Sequence, residues 1–240
     1  MRRVLLISLL VLAFPAAAHG ASVKTVDCTP ALDGAARGAT FEAKMKAVKG
    51  TAKMQVRFTL QVRDDGVKSW RRVSAAGFDT WLSSEAGVRR YSYSRTIQNL
   101  AAPAVYRTTV RFRWLDEEGD TMRTARDTSS WCRQPDLRPD LEVTAIEVLP
   151  APRADRRRYT VTVRNAGRTA AAPFDLGLRV GAAELGPLPV FGLAAGASRS
   201  VTVTGAACTP AAAPLATADA GAAIDERDED DNVLAAACSP

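Results

Sequence analysis

Alternating apolar and polar residues run through much of this chain. Over 53–63, polar residues separate five apolar ones: Met54, Val56, Phe58, Leu60 and Val62. The same two-residue period recurs in three further segments, 40–48, 91–97 and 106–114. Because successive side chains of a strand point to opposite faces of a sheet, this period predicts half-buried β-strands and not helices.

About seven short strands in roughly a hundred residues predict a β-sandwich for the first half of the chain. Leu100, a short turn and Tyr106 lead directly into the strongest strand. This segment resembles the approach to strand F of fibronectin type III domains, where these residues form a tyrosine corner. The resemblance covers residues 22–132 and implies an Ig-like sandwich with Trp70 as the expected core tryptophan. It implies nothing about function.

The first 20 residues have the layout of a secretory signal peptide. Two arginines precede an apolar run over 4–14, and small residues follow over 15–21. The apolar run is shorter than the ~20 residues that a membrane span requires, so we expect cleavage after Ala18 or Gly20 and export of the remainder. The expected localisation is secreted, extracellular or periplasmic.

The remaining length suffices for two domains of about 100 residues each. A polar, Pro-rich stretch at 135–139 predicts a stiff linker between domains at 22–134 and 140–240. Residues 21–134 hold 20 Lys and Arg against 12 Asp and Glu, whereas residues 135–240 hold 10 against 14. We therefore expect a basic module followed by an acidic one.

The four cysteines, Cys28, Cys132, Cys208 and Cys238, are an even count in a chain expected to be exported. Disulfides are the default there, and three pairings are open. The domain division favours Cys28–Cys132 and Cys208–Cys238, each within one domain. No CxxC or CxxH spacing points to metal or redox chemistry.

Four motifs of the second half resemble the bacterial cell-adhesion-related family CARDB. They are a PDL start at Pro139–Leu141, a YTVTVxNxG strand at Tyr159–Gly167, an LxxGxS turn at Leu193–Ser198 and a closing acidic motif at Asp219–Asn232. The resemblance spans about residues 139–236. It implies a seven-stranded Ig-like sandwich on an exported or surface protein, and adhesion only as a context.

Six carboxylates occupy seven positions between Asp225 and Asp231. Hard cations prefer oxygen ligands, so calcium is the candidate ion, with four candidate ligands: Asp225, Glu226, Asp228 and Glu229. The glycine that an EF-hand loop requires is absent. In the alternative interpretation, Glu226, Glu229 and Asn232 shape a turn before the last strand and the other carboxylates face water.

A second candidate site is a basic face of the first domain. If the strands at 53–63 and 106–115 are neighbours, their polar faces bring five arginines together: Arg57, Arg63, Arg107, Arg111 and Arg113. Arginine forks suit phosphate and carboxylate groups, so this face could hold an anionic polymer. The alternatives are a solvated sheet face and, for Trp70, Trp81 and Trp131, core or rim packing in place of a sugar platform.

Most common enzyme classes are disfavoured by the sequence. The only histidine, His19, lies in the expected leader, which removes His-dependent triads and His-containing zinc sites from the mature chain. The sequence has no GxSxG, P-loop, HExxH or GxGxxG motif, although a carboxylate pair for glycoside hydrolysis stays open.

The favoured function is therefore a non-enzymatic, cofactor-free binding or adhesion protein. Its expected partner is a cell-envelope polymer, a glycan or a surface protein, and not nucleic acid. No second apolar run is long enough to span a membrane. The alternative is a structural or accessory spacer module of the cell envelope.

Overall fold

A computed structural model describes residues 20–238. The expected signal peptide therefore lies almost entirely outside the described residues. The chain divides into two compact units, with the chain up to Pro30 and Gly34–Gln134 in the first and Ala31–Asp33 and residues from Pro135 onward in the second. No helix within residues 20–238 is long and apolar enough to cross a membrane.

From residue 20 onward, the first unit contains nine strands and one single-turn 3₁₀ helix, Gly34–Ala36. The strands are β1 (Ala21–Thr29), β2 (Gly38–Lys46), β3 (Lys53–Asp64), β4 (Arg71–Arg72), β5 (Leu82–Ser83), β6 (Arg90–Gln98), β7 (Ala104–Leu115), β8 (Thr121–Thr128) and β9 (Cys132–Gln134). One sheet has the order β1-β2-β6. The other has the order β4-β3-β7-β8, with β5 on β3 and β9 on β7. The predicted all-β class is confirmed.

Alternating side chains of the two sheets form one hydrophobic core in this unit. The apolar face of β3 meets β2 residues such as Phe41 and Met45, which are buried together with Phe112 of β7. Burial of an aromatic or aliphatic side chain of this size contributes about 1.5–3 kcal/mol, so this alternation determines which face of each strand turns inward.

Two aromatic side chains of β7 anchor this core through their polar atoms. The Tyr106 hydroxyl donates to the Ala101 carbonyl oxygen at 3.2 Å, which confirms the predicted tyrosine corner. The Trp114 indole is 1 % exposed, and its Nε1–H donates to the Lys46 carbonyl oxygen at 2.7 Å. The prediction that Trp70 fills the core is wrong, because Trp70 is only half-buried and stacks on arginines.

The second unit contains eight strands. They are β10 (Leu141–Pro150), β11 (Arg156–Asn165), β12 (Phe174–Val180), β13 (Ala183–Glu184), β14 (Leu188–Val190), β15 (Ser198–Ala206), β16 (Pro214–Thr217) and β17 (Val233–Ala235). One sheet has the order β10-β11-β15. The other has the order β13-β12-β16-β17, with β14 on β12. Tyr159, Val161 and Val163 of β11 are fully buried in its core.

Asn165, at the end of β11, ties three loops of the second unit together. Its side-chain nitrogen donates to the carbonyl oxygens of Thr169 and Leu193 at 2.8 and 2.9 Å. Its side-chain oxygen accepts from the backbone N–H groups of Asp140 and Gly167 at 3.2 and 3.0 Å. This fully buried amide thus uses two donors and both lone pairs, which removes the cost of burying it.

Each unit carries one disulfide. Cys28 of β1 is bonded to Cys132 of β9, 104 residues later, and Cys208 is bonded to Cys238, 30 residues later. The described residues contain no free cysteine. This is the pairing that the sequence analysis favours among the three possible ones.

Candidate anion-binding face

The outward face of the sheet β4-β3-β7-β8 carries the predicted arginines. β3 and β7 pair over their whole length, with Arg57 opposite Arg111, Gln55 opposite Arg113 and Gln61 opposite Arg107. Their alternate residues point into the core, so these polar side chains share the outer face. We call this surface the arginine face.

One end of the arginine face is a stack of two indoles and two guanidinium groups. Arg107 lies 3.9 Å and Arg63 5.0 Å from the centre of the Trp70 ring. Arg63 also lies 4.8 Å from the centre of the Trp131 ring, and the two indoles are 6.0 Å apart. Cation–π contacts of this kind contribute roughly 0.5–2 kcal/mol each and hold the long arginine side chains in place.

Trp81 organises the other end of the face. Arg113 lies 3.9 Å and Arg57 5.5 Å from the centre of its ring. Arg113 Nε also donates to Gln55 Oε1 at 2.5 Å, while Arg107 Nε donates to Gln61 Oε1 at 2.9 Å. These bonds use only part of each guanidinium, so N–H groups remain for a ligand.

The positive charge of the face is not balanced by carboxylates. Among residues 20–238, none of the five predicted arginines forms an ion pair, whereas the neighbouring Arg72 pairs with Asp79 at 2.7 Å. Partial burial, together with the charges of Arg63 and Arg126, lowers the pKa of Arg107 from its usual value. The smaller part of this lowering, which comes from Arg63 and Arg126, is repulsion between like charges that a bound anion would offset.

The structure adds residues to this face that the sequence analysis missed. Arg126 of β8 lies opposite Arg111, on the same outer face. The sequence feature that indicates it is the spacing of Thr124, Arg126 and Thr128 at every second position, in the segment that follows the strongest apolar strand. A cavity of about 400 Å³ lies on this part of the face, lined by Trp81, Arg111, Phe112, Arg113, Thr121, Thr124, Ala125 and Arg126.

The acidic run of the second unit does not direct its four candidate calcium ligands to one point. Asp225 is exposed and pairs with Arg138 at 2.8 Å, while the backbone N–H of Asp228 donates to Asp140 at 3.0 Å. Within the described part of the chain, no group of three or more His, Cys, Asp and Glu could hold a metal ion. Calcium binding therefore stays a prediction.

Glu226 and its neighbours instead bond to one another and to the backbone. Glu226 is 2 % exposed and accepts hydrogen bonds from the Leu141 backbone N–H and from Asn232 Nδ2. Glu229 accepts from Asn232 Nδ2 at 3.1 Å. These contacts are those of the turn-shaping alternative.

Burial raises the pKa of Glu226 from 4.5 to about 7. The charges of Glu229 and Asp219 raise the pKa as well, while the hydrogen bonds from Leu141 and Asn232 act in the opposite direction. Glu226 therefore changes its charge in the physiological pH range.

Residues 138–236 match the family model CARDB. A search of the curated proteins found no match. Among solved structures, a CARDB domain from Pyrococcus furiosus in complex with di-metal ions is 20 % identical, with a TM-score of 0.36, over 41 % of this chain and 84 % of that chain.

Two further solved structures are similar over most of this chain. Red sea bream transglutaminase is 10 % identical with a TM-score of 0.29, over 92 % of this chain and 31 % of that chain. The class 5 fimbriae chaperone CfaA is 10 % identical with a TM-score of 0.27, over 91 % of this chain and 99 % of that chain. Because all three TM-scores are below 0.5, these likenesses carry no conclusion about this chain.

The family match covers the four motifs from which the resemblance was inferred. The CARDB match suggests a surface-associated, adhesion-related module, and together with the disulfides it points to an extracellular or periplasmic location. Residues 138–236, in the C-terminal part of this chain, are thus matched to the CARDB family.

Proposed function

We propose that this protein is an exported, non-enzymatic binding module that holds anionic polymers of the bacterial cell envelope, or anionic glycans, on the arginine face. The observation that carries the proposal is the set of arginines without ion pairs on one sheet face, held in place by tryptophans and glutamines. Preorganised guanidinium groups bind oxyanions without first paying the entropy of ordering their side chains.

The CARDB domain supports the surface-associated part of this proposal. Its family context is the bacterial cell surface, while the arginine face belongs to the other unit. The second unit is acidic, with 14 Asp and Glu against 10 Lys and Arg from residue 135 onward. We therefore assign polymer binding to the first unit.

Retention on an immobilised acidic polysaccharide tests the proposal. The full mature chain should be retained at low salt and released as ionic strength passes the physiological ~0.15 M, where the Debye length is about 8 Å. It should not be retained on neutral dextran. Arg107→Gln together with Arg111→Gln should weaken retention.

The spacer alternative makes the opposite prediction. If the protein is not retained on acidic polysaccharides or on washed cell envelopes, or if retention is insensitive to salt, the arginine face is only a solvated surface. The envelope spacer function would then replace the binding function.

A further inference from the structure

Three arginines on adjacent strands form one row across the sheet. Arg57 of β3 lies directly opposite Arg111 of β7, and Arg111 lies directly opposite Arg126 of β8. Neighbouring strands are about 4.8 Å apart, so the row is about 10 Å long. Like charges directly opposite each other destabilise a sheet, and here the arrangement occurs twice in succession.

Nothing in the described part of the chain neutralises this row. Arg111 and Arg126 are exposed, and the side chain of neither forms a hydrogen bond or an ion pair within residues 20–238. The Nε atom of Arg57 is buried without a hydrogen-bond partner. Among the described residues of the row, Arg57 stacks on an indole, 5.5 Å from the centre of the Trp81 ring, while Arg63 and Arg107 stack on Trp70 and Arg107 also bonds to Gln61.

The cavity beside the row offers hydrogen-bond donors and no carboxylate. Trp81, Arg113 and the two threonines Thr121 and Thr124 are among its lining residues, and no Asp or Glu lines it. Guanidinium forks bind oxyanions bidentately, and two or three of them in a row favour a group with more than two acceptor oxygens.

We propose that the row Arg57–Arg111–Arg126 is the subsite of the arginine face for tetrahedral oxyanions, the phosphate or sulfate esters of a polymer. This inference rests on the proposed function and deepens it. A phosphate monoester or a sulfate ester presents three terminal oxygens to the row, whereas a carboxylate presents two.

Binding of three polymers to the full mature chain tests this inference: dextran phosphate, dextran sulfate and polygalacturonate at equal charge concentration. Dextran phosphate or dextran sulfate should bind roughly tenfold more tightly than polygalacturonate, and the tighter of the two identifies the ester. Equal or tighter binding of polygalacturonate would overturn the assignment to tetrahedral oxyanions.

A matched pair of variants tests the location. Arg111→Gln with Arg126→Gln should weaken binding roughly tenfold or more, while Arg89→Gln with Arg90→Gln, exposed and off this face, removes the same charge and should change it far less. Equal losses in both pairs would refute the row yet leave the proposed function standing. Failure of the wild type to bind any of the polymers would refute both.

The thermal midpoint supplies a readout that does not depend on the ligand. Without polymer and at low salt, the Arg111→Gln, Arg126→Gln variant should unfold at a higher temperature than the wild type, because it removes the like-charge repulsion. Added dextran phosphate or dextran sulfate should raise the wild-type midpoint more than that of the variant, which binds more weakly. A variant with a lowered midpoint would show that the row is structural.

Discussion

At the scale of single residues, Glu226 makes the stability of the second unit depend on pH. A carboxyl group whose pKa is higher in the folded than in the unfolded state contributes its full stabilisation when the pH is below the unfolded-state pKa. That contribution is lost as the pH rises through the folded value. With a pKa raised from 4.5 to about 7, the unfolding free energy should fall between pH 5 and pH 8, by up to about 3 kcal/mol.

Chemical denaturation across this pH range checks the prediction. Glu226→Gln should flatten the dependence, because the amide does not titrate. Asp225→Asn is the control, since Asp225 is exposed and its neighbouring charge Arg138 is retained. If the slope persists in Glu226→Gln, another group is responsible. Asp231, whose pKa burial also raises, would be the next to replace.

The tryptophans show where inference from the sequence ends. Trp114 belongs to an alternating strand, so its burial could be predicted from the period. Trp70 lies in a segment without alternation, next to the two-residue strand β4, and its partners Arg107 and Trp131 lie 37 and 61 residues further along the chain. Such long-range stacking leaves no periodic signal, which is why Trp70 was wrongly expected in the core.

At the scale of elements, the turn after β11 depends on the absence of a side chain at Gly167. A Cβ there would lie 2.6 Å from the Arg138 carbonyl oxygen, the Pro139 carbonyl carbon and the Asp140 nitrogen. All three are backbone atoms and cannot move like the end of a flexible side chain. Gly167→Ala should therefore lower the unfolding free energy by about 1–3 kcal/mol, as overpacking does elsewhere.

Urea unfolding of a matched pair of alanine variants checks this expectation. A Cβ at Gly221 would meet no atom within 4 Å, and the backbone of Gly221 is not left-handed. Gly221→Ala should consequently be neutral or slightly stabilising. Similar losses in the two variants would mean that the close approach around Gly167 is relieved by movement of the chain.

The pairing of β3 with β7 was predictable, whereas the composition of the arginine face was only partly so. Two long alternating segments in a sandwich of this type are neighbours, which placed Arg57 and Arg111 on one face. The register that sets Arg111 directly opposite Arg126 was not predictable, because a bulge near Trp114 shifts β8 against β7. Register depends on such irregularities, and composition does not reveal them.

At the scale of the whole molecule, each unit contains one disulfide between two of its own cysteines. In the chain-entropy model, disulfides that close loops of 104 and 30 residues stabilise their units by at most about 4.7 and about 3.6 kcal/mol, respectively. Cys208→Ser with Cys238→Ser should thus lower the unfolding free energy of the second unit by up to that smaller amount.

Denaturant unfolding followed by the tryptophans of the first unit is the control for this variant. All four tryptophans, Trp70, Trp81, Trp114 and Trp131, precede Pro135, so their fluorescence reports on the first unit, while circular dichroism reports on both. Only the circular dichroism signal should shift to lower denaturant. A matching shift in fluorescence would show that the units do not unfold independently.

The two disulfides join cysteines that are neighbours in sequence, the first with the second and the third with the fourth. A chain that crosses a membrane from its N-terminus presents these thiols to an oxidant in that same order. In that order, Cys28 is the partner available when Cys132 emerges, and the first disulfide can form before Cys208 emerges. If the chain is exported as proposed, joining thiols as they emerge gives the native bonds directly, and we expect its oxidative folding not to depend on an enzyme that reshuffles mispaired bridges.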